Sequence, residues 1–409
     1  MSERPLDLVL FGATGFTGQL VAEHLYAREG TGSHLAWALA GRNGDKLEAL
    51  RRTLQGKAPE EPLELVVADS ADEAGLDELA RRSRVICSTV GPYARYGSEL
   101  VAACARHGTH YCDLTGEVPW IARMIAEHDE AARASGARIV HCCGFDSIPS
   151  DLGTWFAQEQ LQAHHGVYAR RVRGRVGRTR GTASGGTVAS LLGVIEDAGR
   201  DATLRRALRN KYLLYPPDEA PGPRVSDQSG PRYDPCFERW TAPFVMALIN
   251  ERVVRRSNAL LGFPWGRDFD YDESMLCASR AAALTVSLAM GAGLLTVGTA
   301  AGRALARQFL PAPGEGPDRE AREKGFFELF FEAEHPQDET RNIRVKVTGD
   351  RDPGYGATSR MLGEAALCLA RDELTVDGGI WTPASALAAN LLPRLQEHAG
   401  LSFDVVARD

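Results

Sequence analysis

Lysine is scarce in this chain. Only Lys46, Lys57, Lys211, Lys324 and Lys346 stand among its 47 basic residues. The residues four positions before them are Arg42, Thr53, Ala207, Glu320 and Asn342. None is tyrosine, which excludes catalysis by a tyrosine acid whose pKa is lowered by a lysine one helical turn on. Paired cysteine motifs are also missing. Eight cysteines are present, but no CxxC and no Cys/His spacing suited to zinc. His141, Cys142 and Cys143 come closest, and adjacent strand residues point to opposite faces, so they chelate poorly. No metal site is expected, and the thiols suit a reducing compartment. Excess positive charge is absent: the net charge of −7 argues against nucleic acid as a partner. No signal peptide is expected, since the charged start MSERPLD runs straight into a strand. A cytoplasmic location follows as an expectation.

What is present is the composition of a folded protein of two or three domains, 409 residues with 44% hydrophobic and 25% charged. Apolar runs alternate with helical periodicity from Leu6 to Phe145, with short connections. This is the pattern of an α/β fold of Rossmann type, a doubly wound parallel sheet. The first run enters VLFGATGFTGQLV, where Gly12, Gly15 and Gly18 lie between strand and helix. Gly12 suits the tight turn, Gly15 leaves room for a pyrophosphate, and Gly18 permits close helix–strand packing. Thr14, Phe16 and Thr17 fill the same turn, at a helix N-terminus that favours anions.

The end of the second strand distinguishes the dinucleotides. NAD-binding folds place an acid there for the ribose hydroxyls. Here the sequence is LAGRNGDKL, with Arg42 at that point and Lys46 one turn later. Two cations suit a 2′-phosphate, so the cofactor read from these residues is NADP(H). Asp69 and Ser70, after the third strand, are expected near the adenine. Val90, Gly91 and Pro92, after the fourth, are expected beneath the nicotinamide ribose. Asp113, Gly116 and Glu117 close the fifth strand, and Asp146 and Ser147 the sixth. Both stretches fall on the ligand-binding edge, so Tyr93, Asp146 and Ser147 are candidate catalytic residues. Asp113 and Gly116 are candidates for the cofactor. Asp146 and Ser147 also suit a helix cap, and Asp113 a loop-orienting role.

The motifs GATGFTG, LAGRN, VGPYARYG, YCDLTGE, CGFDSIPSDLG, SGGT, PGEGP, DPGYGATSRML and GGIWTPASAL together resemble the saccharopine dehydrogenase-like oxidoreductases. The likeness is nearest to the branch of trans-acting enoyl reductases and runs over nearly the whole chain. It implies an NADP-linked reductase of a hydrophobic acyl or polyketide-type substrate, with delivery on a carrier protein left open. The alternatives are a saccharopine-type imine reductase, for which Arg255 and Arg256 are available to bind carboxylates, and a non-catalytic NADP-binding protein on a lipid surface.

After residue 150 the alternation stops. The expected domains are a dinucleotide-binding domain over 1–150 and an inserted α+β substrate or dimerisation domain over 151–350. A helical segment over 351–409 is expected to pack back on the first. YARRVRGRVGR reads as a strand with its charges on the open side. SGGTVASLLGVIEDAG reads as a glycine-led helix, and GFFELFFEAEH with RNIRVKVTGD as an antiparallel hairpin. Ala281 to Gly302 holds no charge and is long enough as a helix to cross a bilayer, about 33 Å. A span is rejected, because the chain rejoins the fold at Phe326. A buried helix, a dimer or lid helix and a lipid-facing helix stay open, and a homodimer is expected.

Overall fold

Six apolar runs of the first third of the chain become six parallel strands. They are Leu6–Phe11, Trp37–Gly41, Glu64–Val67, Ser83–Ser88, His110–Asp113 and Arg138–Val140. In the computed structural model, residues 4–31, 35–57, 59–181, 185–309 and 316–407 are described. The sheet grows outward from its first strand, which pairs with the second on one side and the fourth on the other. That reversal opens a crevice at the carboxyl ends of the first and fourth strands. The sheet is buried on both faces, so its strands read as continuous hydrocarbon rather than alternating patterns. Leu8, Val9, Leu10, Leu39, Val85 and Ile86 are fully buried, each contributing about 1.5–3 kcal/mol.

A second seven-stranded sheet is mixed. Arg171–Arg180 pairs in parallel with Asp270–Cys277 and antiparallel with Phe326–Glu334. The expected hairpin forms, with Phe331 opposite Val345. The arginine strand lies inside this sheet, and its charges are covered over the first half only, since Arg178 and Arg180 stay exposed. Arg175 is 3% exposed and paired with Asp234 and Asp272, and Arg173 is paired with Glu334. Carboxylates on neighbouring strands cover that half of the charged face, which the alternation correctly revealed.

The helix Ile148–His165 leaves the first sheet and packs on the second. Gly153 makes this approach feasible, since a Cβ there would lie 2.4 Å from the Phe331 ring. Leu10 and Val85 of one sheet and Leu329 and Phe331 of the other share a single hydrophobic cluster. Asp151, beneath it, accepts from Ser257 Oγ at 2.6 Å and Ala384 N at 2.8 Å.

The C-terminal part is less purely helical than expected. The helix Thr358–Arg371 does pack on the first sheet. Gly379–Trp381 adds a seventh parallel strand to that sheet, and Leu401–Val406 forms an edge of the second. Three residues are too short for a periodic signal, and the edge strand is half exposed. The apolar stretch forms a helix, Arg280–Gly298, broken at Thr299 before a second helix, Ala300–Phe309. It is not buried beneath the sheet: Leu288 is 64% and Leu295 78% exposed.

Candidate functional site

A cavity of about 1050 Å³ opens at the crevice of the first sheet and extends against the second domain. The glycine turn forms its floor. Gly12 has φ of +88°, and a Cβ there would lie 2.6 Å from Val90 Cγ2. Thr89 Oγ1 donates to Gly12 O at 3.1 Å, fastening this turn to the fourth strand's loop. At Gly18 a Cβ would lie 2.2 Å from Gly12 O, so only glycine lets the helix sit this close. At Gly15 a Cβ would meet nothing nearer than 3.4 Å, which leaves the space a pyrophosphate needs. No side chain caps the helix that starts here, Phe16–Glu29, and Thr14, Gly15, Phe16 and Thr17 line the cavity. Phe16 is held by an edge contact with Tyr355 at 4.8 Å and by Arg322 over its ring at 5.5 Å.

The order of strands puts the second strand on one side of the crevice and the fifth and sixth on the other. On the second-strand side Arg42, Lys46, Asp69 and Ser70 line the wall. Arg42 and Lys46 are exposed and have no ion-pair partner among the described residues. Asn43 Oδ1 accepts from Lys46 N at 2.9 Å and caps that helix. Two uncommitted cations, with no acid at the strand end, suit a 2′-phosphate. Val90, Gly91 and Gly116 line the middle.

Asp146 lines the far side. Its carboxyl has no hydrogen-bond partner among the described residues. Burial, with the neighbouring Asp113 carboxylate, raises its pKa to about 7. A carboxyl half-protonated near neutrality and facing a cavity is a candidate general acid.

The comparisons agree with this geometry. A family model described as the saccharopine dehydrogenase NADP binding domain matches residues 8–140. A Mycobacterium tuberculosis protein provisionally named a trans-acting enoyl reductase is 40% identical over 417 residues, covering 98% of this chain and 97% of its own. A trans-acting enoyl reductase of Mycobacterium ulcerans is 37% identical over 425 residues, covering 97% of each chain. The chain belongs to the saccharopine dehydrogenase-like oxidoreductases, in the trans-acting enoyl reductase branch. Saccharopine dehydrogenase (L-Glu forming) of Saccharomyces cerevisiae shares the fold at a TM-score of 0.54. It is 13% identical, with 98% of this chain and 99% of that one covered. The first domain of this family member is thus an NADP-binding domain, and the residues of the glycine turn with Arg42 and Lys46 fit that cofactor.

Other expected residues have different work. Tyr93 borders the cavity, but its hydroxyl donates to Ser88 O at 3.0 Å and accepts from Leu114 N at 3.4 Å. Burial and Asp113 push this phenol well above its ordinary value, so it stays neutral. It is a strut of the loop rather than an acid. Asp113 lies outside the cavity wall and is fully buried. It accepts from Thr115 N at 3.1 Å and Cys142 N at 3.2 Å, with His141 Nδ1 at 2.8 Å. It joins two strand ends rather than touching a ligand. Ser147 also lies behind the wall and donates to Asn250 Oδ1 at 3.0 Å; it caps no helix through its side chain. Pro92 and Gly18 support the wall without lining it.

Glu117 clamps the loop of the fourth strand. It accepts from Tyr93 N at 2.8 Å, Ala94 N at 2.9 Å and Ser190 Oγ at 2.7 Å. Arg255 and Arg256 are buried outside the cavity. The first meets Glu251 and Tyr271 O, the second Leu214 O and Ile380 O. The glycine-led helix is described from Gly185, whose N–H donates to Tyr355 Oη at 2.8 Å. Ser184, Pro313, Gly314 and Glu315, from two of the quoted motifs, lie outside the described residues.

Sequence reading missed the second domain's share of the wall. It includes Val194, Ile195, Leu208, Met246, Leu248 and Ile249. Tyr355 stood inside a quoted motif, and its link to Phe16 was not evident from spacing. The apolar residues carry no signal that separates a cavity wall from ordinary core.

Proposed function

We propose that the protein is an NADPH-dependent reductase of the double bond of a hydrophobic enoyl substrate. The observation that carries this is the apolar wall beyond Asp146, contributed by four helices and a loop of the second domain. Each methylene buried against such a wall is worth about 0.8 kcal/mol, so a long acyl chain is favoured over a small polar substrate. When bound, NADPH supplies the hydride for the β-carbon. The chain's own tasks are to orient the two ligands, exclude water and supply a proton for the α-carbon. Orientation falls to the glycine turn and to the Glu117 clamp, which couples the nicotinamide loop to the helix Gly185–Arg200. The proton falls to Asp146. An imine reductase handling an amino acid needs cations for its carboxylates; Arg255 and Arg256 are spent on internal carbonyls and acids, and Arg252, which lines the cavity, donates to Asn210 O, Leu248 O and Leu208 O.

The test is steady-state oxidation of NADPH with a long-chain 2-enoyl thioester. Wild-type kcat should decline as pH rises above about 7, because the acid is then ionised. Asp146→Asn should lower kcat by roughly 10²-fold and leave NADPH binding unchanged. Full activity in that variant would remove Asp146 from the reaction.

A further inference from the structure

The helix Arg280–Gly298 is long and apolar enough by composition to cross a bilayer, yet little of it is buried. Its two sides differ. Ala283 and Ser287, one turn apart, are buried, and Leu294, seven residues further, lines the main cavity. One stripe therefore faces the protein. Leu284, Leu288 and Leu295 form a second stripe, about 100° round the helix, and are 46%, 64% and 78% exposed. From Gly291 to Thr296 every residue is exposed, Leu294 included at 42%, so the last turns are less covered by the protein than the first. A partner helix covers a single stripe; a fluid apolar medium covers all sides.

The start of the segment carries groups suited to a headgroup layer. At the start Arg280 lies 5.5 Å over the Trp240 ring, Trp240 contacts Tyr233 at 5.7 Å, and Tyr233 is 49% exposed. Beyond the break at Thr299, Arg303 turns inward and donates to Val297 O at 3.0 Å and Gly298 O at 3.1 Å, closing the helix end. Indole, phenol and guanidinium prefer the boundary between water and acyl chains. The strands on either side of the segment in the chain, Asp270–Cys277 and Phe326–Glu334, both flank Arg171–Arg180 in one sheet, which rules out a crossing.

We infer that Arg280–Gly298 lies in the surface layer of a lipid bilayer, with the Leu284–Leu288–Leu295 stripe among the acyl chains. Leu294 then stands between the bilayer and the cavity. It also borders a second chamber of about 290 Å³ with Met290, Gly291 and Leu248. An amphiphilic chain leaving the bilayer reaches the cavity by passing one helix. This route rests on the enoyl reading; the surface contact does not.

Flotation of the full chain with vesicles of phosphatidylcholine and phosphatidylglycerol in equal parts tests the contact. The wild type should float with the vesicles. Leu288→Glu/Leu295→Glu should lower the bound fraction about tenfold or more. Both positions are exposed, so NADPH affinity and unfolding temperature should not change, and these controls separate surface loss from misfolding. The inference is overturned if the wild type stays at the bottom of the gradient. It is also overturned if the wild type elutes as a dimer that the double variant splits while neither floats, since the stripe would then be a self-association face. Oxidation of NADPH on a soluble short-chain thioester reports on the reductase reading separately.

Discussion

The cavity wall around Arg42 is made of glycine backbone, hydroxyls and charge; the wall around Ile195 is hydrocarbon. The first is dictated by position. A Cβ at Gly12 or Gly18 would strike neighbouring atoms, so the residue type follows from geometry. The second is dictated by character only: any residue of similar size and polarity keeps the surface apolar. One half recognises a fixed shape and tolerates no change, and the other sorts ligands by the hydrocarbon they bury. Between them stands Asp146, a carboxyl with no partner among the described residues, whose pKa of about 7 reflects the drying of its surroundings.

The contrast breaks most visibly at the turn. Gly12→Ala imposes a left-handed conformation on alanine and places its Cβ 2.6 Å from Val90 Cγ2. NADPH affinity, followed by fluorescence titration, is expected to fall by roughly 10²-fold or more. Unchanged affinity would mean that the turn does not seat the cofactor. On the other side, Ile195→Asp puts an ionised group in the apolar wall. KM for a long-chain enoyl thioester should rise by roughly 10-fold or more, with NADPH affinity intact. A variant that lost both together would show that the halves are not separate.

Arg42→Ala sharpens the polar half. The exposed guanidinium is one of two cations at the strand end, so its loss should reduce the preference for NADPH over NADH by about tenfold. The smallest effect expected is on stability. Burial raises the pKa of Asp146 to about 7, of Glu273 to about 7 and of Asp151 to about 6. A raised acid stabilises the fold fully below its unfolded value of about 4. That contribution is lost as pH rises through the folded value. The unfolding temperature should therefore fall as pH rises from about 4 to about 7 and level off above that. Asp146→Asn should flatten this decline, its advantage over the wild type growing by about 1 kcal/mol per pH unit between pH 4 and pH 7. A steeper slope in the variant would contradict the raised carboxyl.

The same contrast explains what the sequence disclosed. Strands buried on both faces are unbroken apolar runs, and the phosphate turn needs glycines at set intervals, so the first domain and its cofactor half were legible. Arg42 was informative because it replaced an expected acid. Asp146 was placed on the correct edge by its strand, whereas Tyr93, Asp113 and Ser147 share that edge and face backbone or other side chains instead. Spacing assigns a residue to an edge and does not say which way its side chain turns. The apolar half comes from residues 194–195, 208, 245–249 and 294, separated in the chain and identical in type to core. Arg255 and Arg256 read as substrate ligands because buried arginines paired with internal carbonyls leave no pattern of their own.

The account rests on an acyl chain lying along that apolar wall beside an NADP-binding half. The direct measurement is kcat/KM for NADPH-dependent reduction of 2-enoyl thioesters of increasing chain length, beside an imine formed from an amino acid. The account predicts a rise of up to about fourfold per added methylene until the wall is covered, with negligible imine reduction. Turnover indifferent to chain length, or faster on the imine, would contradict it.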